Sequence, residues 1–524
     1  MTKRIIAALT CLVLMLCLTP FGVLADEADG KHTSHDGWTQ WTSTNSLPSN
    51  SGKYVLMNDV ALTTVGAQLE SVEITLCLNG HTVDQTGVGE YDRIYRINGA
   101  TELTICDCTA KTADDGAYTA GKMINGKNSC FLFDGKSEAT LNIYGGIFSG
   151  HKAQSGGFMV IQGKSTFNMY GGEVSGNTAD LNGGAIFAAP TTTLNLVGGT
   201  IKDNTCSGEG AGVYTMSSNC NMEDGFVVSG NSGCYKGAGV MVANGNFYMH
   251  GGTITDNTSK DGAGVFVNIA DGKSPNFEMT GGTIAGNTAT NEGGGVYVGN
   301  SGNMKLLGGT IKENTAAASA GGVCISGNCF VTLGDVTITG NTGVSAGGVH
   351  FALGSLTLSG KPMITDNKTA AGKTINFLYE AQRGSVVKAE GLEADAKIGV
   401  TLYPNVEQMV ISGVTAENAA CFVGDNGATW ELSDKGLNPV GGSVTQEQEA
   451  APEEKEEQVE ETKASNADKE NKNDSKKEDN KKENNKPSKN NDKESTSVIP
   501  TSVILVLAVA ALLSVAIVIV IFKM

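Results

Sequence analysis

The chain has 524 residues, and its reactive side chains are cysteines, scattered histidines and only four arginines. Cys11 and Cys17 fall in an N-terminal leader. Ten cysteines follow it: Cys77, Cys106, Cys108, Cys130, Cys206, Cys220, Cys234, Cys324, Cys329 and Cys421. No pair of CxxC motifs occurs, and His81, His151, His250 and His350 show no HxH or HxxxH spacing, so neither a metal centre nor a cofactor is expected. Such histidines are read as polar residues in turns or on solvated strand faces. Cys206 and Cys234 follow two successive repeat asparagines by two and three residues. They are expected on adjacent coils, as a candidate disulfide or as stacked small apolar residues. Acid–base catalysis needs carboxylates that converge. Asp114 and Asp115 sit in a loop, while Asp203, Asp256 and Asp366 recur beside the repeat asparagines, which marks turn structure. No catalytic residue is expected.

Binding chemistry is better represented. Tyr144 and Tyr170 are 26 residues apart, and Tyr248 with His250 lies further along the same predicted face. Exposed aromatics offer apolar surface to a sugar ring or a protein side chain. A competing site is the loop from Asn268 to Asn276, where one repeat is about three residues longer than the others.

The elements that must position these groups are set by a repeat from Leu141 to Asn367. Its closing residue recurs as His151, Asn177, Asn204, Asn231, Asn257, Asn287, Asn314, Asn341 and Asn367, at spacings of 26 to 30. So regular a period means stacked units that cannot bury their apolar faces alone. Within each unit the apolar period is two: Leu194, Leu196 and Ile201 alternate with polar or small residues. A glycine-led strand follows each asparagine, as in Gly210-Ala-Gly-Val213. The pattern predicts an all-β right-handed parallel β-helix, with Leu194, Leu196, Ile201 and Val213 inside. The asparagines should stack in one column of amide hydrogen bonds.

The Gly-Gly-x-Ile-x-x-Asn-Thr pattern followed by Gly-Gly-Val resembles right-handed parallel β-helix surface proteins of Gram-positive bacteria. It is also similar to pectin-lyase-like and polymorphic outer-membrane-protein repeats. His35-Asp-Gly-Trp38, Leu76-Cys-Leu-Asn-Gly-His81 and Leu103-Thr-Ile-Cys-Asp-Cys108 look like the opening segment of the Gram-positive group. Many β-helices of this kind are polysaccharide lyases or hydrolases. A lyase of that type uses an Arg or Lys base beside calcium-binding acids. Here the arginines are Arg4, Arg93, Arg96 and Arg383, and none lies in the repeat. The hydrolase group's Gly-His-Gly and Arg-x-Lys signatures are absent as well.

The two ends carry different signals. Residues 1–25 read as a signal peptide and 26–52 as a lead-in or cap. Residues 53–442 read as the β-helix ectodomain, and 443–497 as a charged linker too poor in large apolar residues to fold. Residues 498–522 include an uncharged apolar run long enough, as a helix, to span a bilayer, and 523–524 form a short cytoplasmic tail. Ile499-Pro-Thr-Ser-Val503 departs from a sortase motif at two places, so membrane retention is expected over wall linkage. The net charge of −18 argues against nucleic acid. The expectation is a single-pass cell-surface protein whose extracellular β-helix acts as an adhesin or binding scaffold. Its partner would be an extracellular protein or glycan, such as host mucin, immunoglobulin or matrix. The alternatives are a surface polysaccharide lyase or hydrolase and a structural spacer without a ligand.

Overall fold

The computed structural model describes residues 34–440, apart from 64–65, 90–91, 109–119, 137, 217, 269–275, 381–384, 403–409 and 426–428. Contacts divide the chain into two units, Met1–Glu449 and Ala450–Met524, and every described residue belongs to the first. The expected leader, charged linker, apolar run and tail lie outside the described residues, as does the interior of the loop between Asn268 and Asn276. Among the described residues, no helix is long and apolar enough to cross a membrane.

The first unit is an all-β, right-handed-type parallel solenoid of about 12 turns. One coil shows how the sequence builds it. Thr166–Met169 forms the first face, Glu173–Ser175 the second, Thr178–Ala179 a short strand beyond the repeat asparagine, and Ile186–Ala188 the last face. First-face strands stack into a 17-stranded sheet, and the second and last faces join a 26-stranded one. The short strands stack separately, as sheets of three and six.

Strand alternation sends every second residue inward. Leu194, Leu196, Ile201 and Val213 are all fully buried. In-register pairing then places like on like: Val228, Ile254, Ile284, Ile311, Ile338 and Ile364 form one continuous inner column. β-branched side chains suit such a pleated, tightly stacked wall, and each contributes roughly 1.5–3 kcal/mol when fully buried.

Both ends are modified stack edges. Thr39–Trp41 pairs in parallel with Gly52–Leu56, so the expected lead-in supplies a rung of its own. At the other end, Thr429–Ser433 and Gly436–Val440 form an antiparallel hairpin, and Leu437 pairs antiparallel with Ile411. This reversal ends the parallel ladder before an open edge can recruit another strand.

Candidate binding cleft

The repeat asparagines form one hydrogen-bonded column. The backbone N–H and the Nδ2 of Asn177 both donate to Oδ1 of Asn204, at 3.0 Å each. The same pair of bonds recurs from Asn204 to Asn231, Asn257, Asn287, Asn314, Asn341 and Asn367. Every one of these asparagines is buried, so the amide chain satisfies groups that water cannot reach. The residue before each rung has a left-handed backbone, for example Gly176 at φ 62°, Asp256 at 57° and Glu313 at 56°. That conformation is the turn role expected for Asp203, Asp256 and Asp366.

His151 heads the column as an asparagine substitute. Its N–H donates to Oδ1 of Asn177, its Nδ1 accepts from the Gly126 N–H, and its Nε2 donates to the Met123 carbonyl. Complete burial lowers its pKa to about 4, against the opposing pull of its backbone hydrogen bonds. The other end runs past Asn367 through two residues that sequence periodicity did not point to. Asn367 donates to Oδ1 of Asn376, and Asn376 donates to both carboxylate oxygens of Asp425. Every rung donates in one direction, so the column ends naturally on an acceptor-only carboxylate. Two further amide series on the first face were also unforeseen: Asn142, Asn168, Asn195 and Asn221, then Asn219, Asn246, Asn276 and Asn303.

The expected aromatic face is present but turned. Tyr144 and Tyr170 stack with ring centroids 4.7 Å apart and planes within 15°. Each covers one face of the other, and Tyr170 remains exposed. Tyr248 and His250 are nearly coplanar in orientation at 6.4 Å, and His250 Nδ1 lies 3.2 Å from Thr280 Oγ1. Cys206 and Cys234 do reach one small apolar cluster, with Ala179, Ala211 and Ala238, and both are free thiols.

A concavity lies elsewhere, in the corner between the last face and the short strands. Outward side chains of the last face stack in register as Arg96, Leu132, Val160, Phe187, Tyr214, Met241, Phe266, Tyr297, Cys324 and His350. Over the early coils this corner is an open cleft of about 960 Å³. Leu132, Val160 and Phe187 form its floor, and Arg93, Lys127 and Lys152 are among its walls. Arg93 has its pKa lowered, first by burial and then by the neighbouring Arg96, with Asp92 opposing the shift. The clue in the sequence was the interval of 25 residues between Lys127 and Lys152, one coil apart, which periodicity arguments built on apolar residues pass over.

Further along the corner is filled. Phe187 stacks on Tyr214 at 5.3 Å and Phe266 on Tyr297 at 4.6 Å. The carboxylates of Asp261 and Glu292 belong to paired positions on neighbouring short strands. Burial first, then Asp261, raises the Glu292 pKa. Ser319 Oγ lies 2.5 Å from His350 Nδ1, and His350 Nε2 lies 2.6 Å from Glu380. A Ser–His–Glu chain resembles a nucleophile with its base and orienting acid. Here the N–H groups of Ser319, Gly321 and Gly322 all donate to carbonyls of neighbouring coils. Those amides are engaged, Ser319 is buried, and the Ser319–His350–Glu380 chain links successive coils.

The geometry defines the class: a parallel β-solenoid with a basic-walled cleft on its flank. The chain matches no family model, no curated protein and no solved structure. The narrower likeness to Gram-positive surface proteins therefore rests on the motifs alone.

Proposed function

We propose that this protein is a cell-surface binding scaffold whose early coils hold an acidic glycan, one carrying carboxylate or sulfate groups. The observation that carries the reading is the cleft itself. Arg93, Lys127 and Lys152, against the single carboxylate of Asp180, line it around an apolar floor on a chain of net charge −18. Cations gathered against so negative a background favour an anionic ligand, and Phe187 with Leu132 and Val160 supplies apolar surface for the sugar ring. The leader and the apolar segment 498–522 support a secreted, membrane-tethered display of the solenoid. The test is a glycan-array screen of the secreted ectodomain beside its Lys127→Glu, Lys152→Glu variant. Binding that favours sulfated or uronate-bearing glycans and falls at least tenfold in the variant supports the reading. Equal binding by both proteins overturns it.

A second reading, a glycan-cleaving enzyme, is favoured by the Asp261–Glu292 pairing, because two neighbouring carboxyl groups, one with its pKa raised by burial, suit acid–base cleavage. Release of reducing ends that disappears in Glu292→Gln would favour it over binding alone.

A further inference from the structure

Three segments far apart in sequence bring sulfur and imidazole donors to one point near the start of the solenoid. Cys77 ends the strand Glu73–Cys77, and Cys106 ends the next rung, Glu102–Cys106, in direct register with it. Cys108, two residues on, places its Sγ 2.9 Å from Cys77 Sγ. His35, from the turn ahead of the first rung, brings Nε2 to 3.2 Å from Cys108 Sγ. The three ligand atoms of His35, Cys77 and Cys108 all lie within 4.8 Å of one another. The sequence pattern predicted no metal centre, because these residues follow no local ligand spacing; stacking of coils assembles them instead.

We propose that His35, Cys77 and Cys108 bind a thiophilic d¹⁰ cation, Zn²⁺ in particular. Two thiols and an imidazole form a donor set of the softness that zinc selects, and three protein ligands leave the fourth position of a tetrahedral ion to water. Two sulfurs at ~2.3 Å from a tetrahedral ion sit about 3.8 Å apart, so Cys77 and Cys108 separate by less than about 1 Å on binding. Cys108 is only half-buried and lies two residues beyond the end of its rung, which leaves its side chain room to turn.

The surroundings support a fixed site. The His35 ring packs edge-on against Trp38 at 5.2 Å, and Trp38 carries Lys53 Nζ 5.9 Å from its ring centroid. Val55, Cys77 and Cys106 form a buried floor, with Trp38, Cys108 and Tyr144 packed around it. The Asp107 carboxylate is held elsewhere, accepting from the N–H groups of Gly80 and Gly121. The ion would pin the His35–Trp38 segment over the first coils. That is where a solenoid needs its open end covered.

The test uses the full-length chain, purified under reducing conditions and titrated with Co²⁺ as a spectroscopic probe for Zn²⁺. The expected result is one equivalent bound, with tetrahedral d–d bands and thiolate-to-cobalt charge transfer, both displaced by Zn²⁺. His35→Ala and Cys108→Ser should each weaken binding at least tenfold, while the Cys206→Ser, Cys234→Ser variant binds like the parent. Far-UV circular dichroism checks that each variant is folded, and the parent titration alone decides the matter if one is not. Absence of thiolate charge transfer in the parent overturns the proposal. So does peptide mapping that finds Cys77 joined to Cys108 as a disulfide in protein isolated from the cell surface.

Discussion

Asn257 donates from Nδ2 to Oδ1 of Asn287 at 2.9 Å, although the two are 30 residues apart where neighbouring rungs are 26 or 27 apart. The extra length is absorbed between Asn268 and Asn276: Ala243 pairs with Asn268, yet Asn246 pairs with Asn276. Coil length is therefore free to vary on the flank while the amide column keeps its step. The column acts as the gauge against which successive coils are set.

That role predicts a sharp penalty for breaking it. Asn257→Leu removes the acceptor for two buried donors of Asn231 and one of the two donors to Oδ1 of Asn287, whose remaining donor is the backbone N–H at position 257. A buried donor left unmet costs about 1–3 kcal/mol, so the variant should lose roughly 3 kcal/mol or more. Lys202→Leu, on an outward position, should change stability by less than about 0.5 kcal/mol. Denaturant midpoints of the two variants make the comparison; equal shifts would refute the ladder's role.

The left-handed position before each rung makes a prediction of opposite sign. Glu313 holds φ 56° where five of the nine coils have glycine, at Gly150, Gly176, Gly230, Gly286 and Gly340. A non-glycine residue there costs roughly 1–2 kcal/mol, and glycine's greater unfolded-state freedom returns part of that. Glu313→Gly should raise the melting temperature slightly, by up to about 1 kcal/mol of stability. Gly286→Val, at φ 64°, should lower it. Thermal melts of the pair in one buffer are sufficient.

His151 predicts a pH dependence. Its folded pKa, about 4, lies below the ordinary histidine value of about 6.5. The unfolded chain therefore binds more protons between these values, and the folded state loses stability as pH falls from 6.5 towards 4. The full effect is roughly 3 kcal/mol. His151→Asn would put an amide where Nδ1 and Nε2 now accept and donate, continuing the column without a titrating group. The difference in unfolding free energy between parent and variant should thus grow on acidification below pH 6.5 and stay flat above it. A difference independent of pH would show that His151 does not titrate on unfolding.

Binding in the cleft should respond to ionic strength. If Arg93, Lys127 and Lys152 hold an anionic glycan, affinity should fall as salt rises, because the two lysines are solvent-exposed and screened. Lys152→Ala should flatten that dependence, whereas Tyr170→Ser on the other face should leave it unchanged. Calorimetric titrations at two salt concentrations separate the two faces.

Surface display has its own check. Deleting residues 500–524 should release the protein into the medium if the apolar segment is the anchor. Cell fractionation and immunoblotting read this out, and covalent recovery with peptidoglycan would point to wall linkage instead.

The amino-acid sequence by itself determined the coil, its period, its inward residues and the asparagine column. These depend on local alternation and on a repeat that brings each residue beside its own counterpart one period later. Leu194, Val213 and Asn257 were legible for that reason. Only the tertiary structure decided which unlike residues meet. His35 reaches Cys108 across 73 residues, Asn376 reaches Asp425 across 49, and Arg93 shares a cleft with Lys127 and Lys152 from separate coils. Apart from Lys127 and Lys152, which are one coil apart, none of these follows the period, because each lies in or against the irregular ends. There, contacts arise from how the chain packs over the stack and not from its repetition. The Tyr144–Tyr170 pair shows the same division: its spacing was readable, but the face-to-face stacking follows from the short distance between parallel strands.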